Sequence, residues 1–193
     1  KLFWRYPPHR LEAEVIRDSI LQASGNLNLK MGGPGIKPKV PQELLEQSRR
    51  NTWPQVKAEG PEHWRRSVYV YVKRQLPLPL LSLFDSPDAA QSCSLRFRST
   101  TPTQSLALLN DEFVNTQARM LAEKLQAEDP ELAVPRMLQK VLATPVSAKQ
   151  LAEASDSVAA RKAARPSQHD ADLLALTDLA VVLFNSSQFV YVD

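Results

Sequence analysis

Proline constrains this chain more than any other residue. Fifteen prolines stand against five glycines, and each proline fixes φ, removes a backbone donor and pushes the preceding residue away from helical geometry. They crowd the first half, at Pro34, Pro38 and Pro41, at Pro54 and Pro61, and at Pro77, Pro79 and Pro87. Long helices are excluded there and extended connections are expected. Charge divides the chain at the same place. Residues 1–100 hold 16 Lys+Arg and 9 Asp+Glu, a net of +7, whereas residues 101–193 hold 8 and 12, a net of −4. The expected architecture is one mainly α domain over residues 1–193, with a proline-rich, irregular, basic front half (1–100) docked on a helical, acidic back half (101–193). One short strand or hairpin is allowed for.

Periodicity places the helices. Leu11, Val15, Ile16 and Ile20 mark an apolar face over about residues 10–24, which Gly25 ends. Met31-Gly32-Gly33-Pro34-Gly35 then reads as a turn. It resembles a phosphate cradle only superficially, because Ile36-Lys37-Pro38 stands where a phosphate loop needs Gly-Lys-Ser/Thr opening a helix. Between Trp64 and Arg74, Val68, Val70 and Val72 alternate with Tyr69, Tyr71 and Lys73, the pattern of a strand with one valine face buried, a helix being the alternative. The proline-broken run Leu76–Asp85 is expected to pack as an extended or short helical connector.

Thr101-Pro102-Thr103-Gln104 is a capping box with proline at the first helical position. Asn110-Asp111 should interrupt that helix before a second one over about residues 112–126. Asp129-Pro130-Glu131 should open a third, to about Ala143. Ser147-Ala148-Lys149-Gln150 opens an alanine-rich helix to about Ala164, poor in large apolar side chains and expected at the surface. The last helix, about 171–184, is apolar on most sides and should be central, with Phe189 and Tyr191 tucked against it.

The chemistry carried by these residues is open to two readings throughout. Asp85-Ser86-Pro87-Asp88 sets two carboxylates three apart, suitable for acid–base work or a hard cation, and equally suitable for a cap and turn. Arg96 and Arg98 precede the helix at Thr101, where an anion can bind, or they pair with carboxylates of the fold, Asp85 and Asp111 being the candidates. The basic ends of the 64–74 segment, Arg65-Arg66 and Lys73-Arg74, bracket tyrosines in the manner of a polyanion surface, or simply reach water from a buried strand. The single cysteine, Cys93, excludes a disulfide framework and a thiolate zinc site. His9, His63 and His169 are isolated in sequence, and no Cys-x-x-Cys-His is present. No metal and no cofactor are therefore expected in this segment. No stretch approaches the roughly eighteen uninterrupted apolar residues of a membrane span. The chain opens at Lys1 with no apolar leader, which suggests a piece of a longer protein.

Six motifs in order carry a family resemblance. They are Arg10-Leu11-Glu12-Ala13-Glu14 with Ile16-Arg17-Asp18; Met31-Gly32-Gly33-Pro34; Arg65-Arg66-Ser67-Val68-Tyr69 with Lys73-Arg74; Phe84-Asp85-Ser86-Pro87-Asp88; Thr101-Pro102-Thr103-Gln104-Ser105-Leu106 with Leu109-Asn110-Asp111; and Leu183-Phe184-Asn185-Ser186 with Phe189-Val190-Tyr191-Val192-Asp193. Together the sequence resembles the C-terminal domain of unknown function of large planctomycete secreted proteins, where it follows a cytochrome-c-like module and another uncharacterised domain. The resemblance implies an extracytoplasmic, mostly helical module with no assigned activity, whose partners are the other domains of the same protein. Any c-type haem would belong to the upstream module.

Three functional expectations follow. The first is a non-catalytic interaction or scaffold module in which Arg65, Arg66, Asp85, Arg98, Asn110 and Asp111 form a polar network at the junction of the halves, since buried charges need partners. The second is part of an enzyme acting on extracellular polysaccharide through Asp85, Asp88 or Asp111, because glycosidic chemistry uses paired carboxylates. The third is binding of a polyanion such as an acidic glycan by the basic half, with nucleic acid disfavoured by the modest charge excess and the missing recognition motif.

Overall fold

The longest helix shows how the back half is built. In a computed structural model that describes residues 8–47, 53–54, 56–165 and 169–192, helix α5 spans Glu112–Glu128 and buries Val114, Gln117, Ala118, Leu121, Ala122 and Leu125. These positions repeat at three and four residues and so form one face. Against that face lies α8 (Ala171–Phe184), with Ala175, Leu176, Leu179, Ala180, Leu183 and Phe184 among its buried residues. α6 (Ala133–Leu142) packs on both, and α7 (Ala148–Ala163) leans on α8. As its alanine-rich sequence leads one to expect, α7 fully buries only Ala154. Phe184 at the end of α8 meets Phe189 of α9 (Ser187–Val190) with ring centroids 5.2 Å apart.

The front half joins this bundle through α1 (Ala13–Ala23), which touches α5 and α6 and contributes Ala13, Ile16, Ile20 and Ala23 to the same core. The buried face differs from expectation. Val15 points outward, and Arg17 takes the position one turn before Leu21 on the inward side. Gly25 ends α1 at φ +68°, and Lys124 of α5 donates from Nζ to the carbonyls of Ser24 (2.9 Å) and Gly25 (3.2 Å). A cation thus meets the negative end of the helix.

The rest of the front half is mostly coil with short helices, α2 (Gln42–Gln47) and α3 (Pro79–Leu83), and it holds a smaller apolar cluster of Val40, Leu45, Trp53 and Leu76. The expected valine strand is absent. Ser67–Tyr69 instead forms a 3-10 turn, leaving Val68 and Val72 75% and 66% exposed while Val70 alone is buried. The reason is the want of a continuous neighbouring strand: among the described residues the segment meets isolated bridges, Asn28 N–H donating to Trp64 O at 3.0 Å, and Ile36 accepting from Tyr71 N–H and donating to Tyr69 O, both at 2.8 Å. The prolines around Ile36 prevent a longer ladder.

The two-stranded sheet lies elsewhere. β1 (His9–Arg10) pairs antiparallel with β2 (Tyr191–Val192), His9 opposite Val192 and Arg10 opposite Tyr191. The fold is mainly α. In the second half α4 spans Pro102–Asn110, and Asp111 separates it from α5 as the sequence indicates. α6 begins at Ala133, three residues after Pro130, where the Asp-Pro-Glu start would place its first residue, because Glu131 and Leu132 make a turn first.

Phe184→Ala removes a fully buried ring and is expected to cost about 3–5 kcal/mol in chemical denaturation. Glu153→Gln on exposed α7 should stay within about 0.5 kcal/mol of the parent. A comparable loss from both would contradict the central place given to α8.

Candidate functional site

Three polar assemblies hold Arg65, Asp85 and Asp111, three of the charged residues singled out by the sequence. The first is built on the end of α3. Phe84 closes that helix and Asp85 follows in the left-handed region at φ +61°. Asp85 N–H donates to Ser82 O at 3.2 Å and Ser86 N–H to Leu81 O at 3.0 Å, the paired bonds of a Schellman ending. Glycine is the usual residue at such a position. Aspartate serves here because its carboxylate has work on the inward side: it accepts from Arg10 Nη2 at 2.6 Å, from Ser99 N–H at 2.7 Å and from the Ser99 hydroxyl at 2.8 Å.

Arg10 is almost fully buried, and its other donors reach Ser99 O (3.0 Å), Leu11 O (2.9 Å) and Phe84 O (3.3 Å). Gln104 completes the assembly by donating to Leu83 O at 3.0 Å and to Ser99 Oγ at 3.1 Å, while its amide oxygen accepts from Thr101 N–H. Burial pushes the Asp85 carboxyl up, but the Ser99 N–H, the Ser99 hydroxyl and the Arg10 guanidinium together outweigh it and hold the group below the usual carboxylate range.

The second assembly joins α1 to the 60–70 segment. Arg17 donates to His63 O (2.8 Å), Arg65 O (3.0 Å) and Ser67 Oγ (3.2 Å), with its guanidinium 5.2 Å from the Phe113 ring centroid. Asp18 next to it accepts from Ser67 N–H and from the Ser67 hydroxyl, both at 2.7 Å. Arg65, also buried, turns the other way. It donates to Lys30 O at 3.2 Å, to Pro34 O at 3.1 Å and to Gly32 O, and stacks 3.9 Å from the Tyr69 ring centroid. Tyr69 in turn accepts Gly32 N–H on its hydroxyl at 2.9 Å. The glycine turn at 31–35 is therefore a cradle of carbonyls around a cation, the opposite polarity to a phosphate loop.

The third is a cavity of about 320 Å³ between the halves. Its wall includes Arg17 from α1, Leu80 from α3, Asp111, Phe113 and Met120 from the start and middle of α5, and Trp64 from the coil. Asp111 caps α5, its Oδ1 accepting from Phe113 N–H at 2.9 Å and Val114 N–H at 3.2 Å. Burial pushes the Asp111 carboxyl up; the two amides oppose this, and the nearby carboxylates of Glu59 and Glu112 reinforce it. Glu59 accepts from Lys39 N–H at 2.7 Å and from the Trp64 indole at 3.1 Å. At the rim Lys39 Nζ pairs with Glu112.

The six residues expected to form one network lie in separate places. Arg65 is in the carbonyl cradle, and Arg66 beside it is largely exposed, 3.8 Å from Asp18. Asp85 belongs to the Arg10 assembly and Asp111 to the cavity. Arg98 approaches Glu12 at 3.7 Å, and Asn110 donates to Leu106 O at the exposed end of α4. Arg96 and Arg98 thus pair not with Asp85 or Asp111 but with the acidic first turn of α1, Arg96 reaching Glu14 at 2.8 Å and Glu12 at 2.9 Å. Asp88 is exposed, and among the described residues its carboxylate accepts the Ala90 N–H two residues on. Cys93 is a free, exposed thiol.

A family described as Protein of unknown function (DUF1553), PSD1, matches residues 1–158. The chain belongs to this family. No curated protein and no solved structure matches it. All three assemblies fall within the stretch that matches the DUF1553 family, whereas α8, which the core depends on, lies beyond it.

The sequence marks Arg10 and Arg17 as motif residues without a site role, and it does not single out Ser99 or Glu59. For Arg17 a signal existed, since it stands four residues after Ala13 and four before Leu21 on the apolar stripe. For Glu59 there was none, as its place depends on the coil path.

Asp85 and Asp111 predict opposite pH responses. Asp85 has its folded value lowered, so its contribution is present above the ordinary carboxylate range near 4 and is lost as pH falls through the folded value. The stability advantage of the parent over Asp85→Asn should therefore shrink on acidification. Asp111 has its value raised, so its contribution is present at low pH and lost as pH rises through the folded value. Asp111→Asn, which keeps a good capping residue, should gain on the parent as pH rises from 3 to 7. Denaturant midpoints across that range (about pH 3–7) check both signs.

Proposed function

We propose that this domain is a non-catalytic interaction or scaffold module of a larger extracytoplasmic protein, of the planctomycete kind that carries an upstream cytochrome-c-like module. One observation supports this above the others: five charged side chains of the family-like motifs, Arg10, Arg17, Asp18, Arg65 and Asp85, are consumed inside the fold. Arg10, Asp85 and Ser99 satisfy one another, and Arg17, Asp18 and Arg65 are bound to backbone or to Ser67. A catalytic carboxylate needs open access to substrate. Asp85 is closed off by its partners, and Asp88 sits alone on an exposed turn.

The neighbouring domains of the full-length protein are the partners that fit. Leu95 and Phe97 stand 86% and 76% exposed on the strap between α3 and α4, and apolar side chains of that size held in water commonly mark a surface that another domain covers. The strap is held by Arg96 on Glu12 and Glu14. The acidic-glycan alternative has less support, because Arg10, Lys30, Lys39 and Arg96 of the basic half are spent on internal ion pairs.

Asp85→Ala should lower stability by about 3–5 kcal/mol, since it leaves a buried guanidinium unpaired. Phe97→Ser should leave the melting temperature unchanged yet weaken co-elution of the domain with the remainder of its full-length protein. Turnover of glycosides that is abolished in Asp111→Asn would replace the scaffold reading with the polysaccharide-enzyme one.

A further inference from the structure

The wall of the cavity carries three cations, Arg17, Lys39 and Lys57, and three carboxylates, Glu59, Asp111 and Glu112, but they are unevenly paired. Two of the cations are committed: Arg17 donates to three acceptors and lies over Phe113, and Lys39 is paired with Glu112, while Lys57 is exposed and makes no ion pair among the described residues. The inner carboxylates are less well provided for. Glu59 receives two neutral N–H groups and Asp111 receives two backbone amides on Oδ1, and among the described residues neither has a cation within ion-pair distance. Oδ2 of Asp111 accepts no bond from those residues. Around these carboxylates the wall is apolar, with Leu80, Phe113, Met120 and three prolines. The volume of about 320 Å³ lies at the lower end of small-molecule pockets, roughly 300–1,000 Å³.

An anion entering here would meet two carboxylates at the inner wall. A wholly apolar guest would leave them desolvated and unpaired, which is costly. Among the described residues no three His, Cys, Asp or Glu side chains are grouped to hold a metal ion. We propose that this cavity binds a small amphipathic organic cation, an aryl- or alkylammonium compound whose head group sits at Asp111 and Glu59 and whose apolar body lies along Met120 and Leu80. The burial and the neighbouring carboxylates that push the Asp111 carboxyl up describe a site whose repulsion an incoming positive charge relieves. The cavity shares Arg17 with the second assembly, but the scaffold reading rests on the internal bonds of that arginine and not on a ligand, so failure of the cavity proposal would leave that reading standing.

The probe is 2-phenylethylammonium, with 2-phenylethanol and phenylacetate as neutral and anionic counterparts, titrated calorimetrically into the whole chain near neutral pH. The expected result is saturable binding of the ammonium compound, weaker by roughly tenfold or more for the alcohol and for the carboxylate. Asp111→Asn should weaken the ammonium compound by a similar factor without lowering the melting temperature, and the indole N–H resonance of Trp64 should shift on binding to the parent. Glu59→Gln provides the same comparison if Asp111→Asn does not fold. Equal binding of alcohol and amine, preference for the carboxylate, unchanged affinity in a folded Asp111→Asn, or no saturation by about 10 mM amine would each overturn the proposal.

Discussion

A guanidinium taken out of water has to be met on every side, and the burial of Arg10 sets this condition for much of the fold. Its charge is permanent, so it cannot escape the cost of desolvation by losing a proton. Four acceptors meet it, and they come from three places: the end of α3 at Phe84 and Asp85, the approach to α4 at Ser99, and Leu11, the residue that follows its own strand. Each acceptor is positioned by something further out. Asp85 is aimed by the left-handed turn that ends α3, and Ser99 is held by Gln104 from the first turn of α4. The strand carrying Arg10 is fixed by β2 at the other end of the chain. Local helix endings and long-range pairing are thus made interdependent by one ion.

Arg17 and Arg65 extend the same logic into the irregular half. A coil with ten prolines in residues 1–100 has few backbone ladders with which to satisfy its carbonyl groups. The two arginines supply donors instead, Arg17 to His63 and Arg65 and Arg65 to Lys30, Gly32 and Pro34. The basic excess of this half is in part a structural replacement for secondary structure. It is less a surface offered to anions than its net charge alone suggests.

What was legible in the sequence divides along this line. The back-half helices could be read because their information is local: the capping boxes at Thr101 and Ser147, the break at Asn110-Asp111 and the apolar run of α8 all act within a few residues. The valine alternation at 68–72 misled because a strand is a property of its neighbours, and prolines on either side of Ile36 deny it one. The ion pairs were misassigned for a related reason. Arg96 and Asp85 are close in sequence, yet Arg96 turns to α1, and Asp85 takes its cation from Arg10, 75 residues away. Charge partners across such distances are chosen by the chain path. The cavity was not foreseeable, since Glu59 and Asp111 meet only when the coil folds back over α5.

The pairing of β1 with β2 carries a mechanical meaning. His9 and Val192 stand side by side at the same end of an antiparallel ladder only two residues deep. Tension that drew these two strands apart would load the bonds in succession rather than all at once, so the ladder would peel open from its outer pair. The next attachment inward is the Leu11 N–H bond to Val190 O at 2.9 Å, and beside it the four-acceptor grip on Arg10. Under load the domain would therefore shed its short sheet easily and then resist at the guanidinium. The bundle of α5, α6, α7 and α8 would be shielded from a pull applied to its ends until that grip gave way.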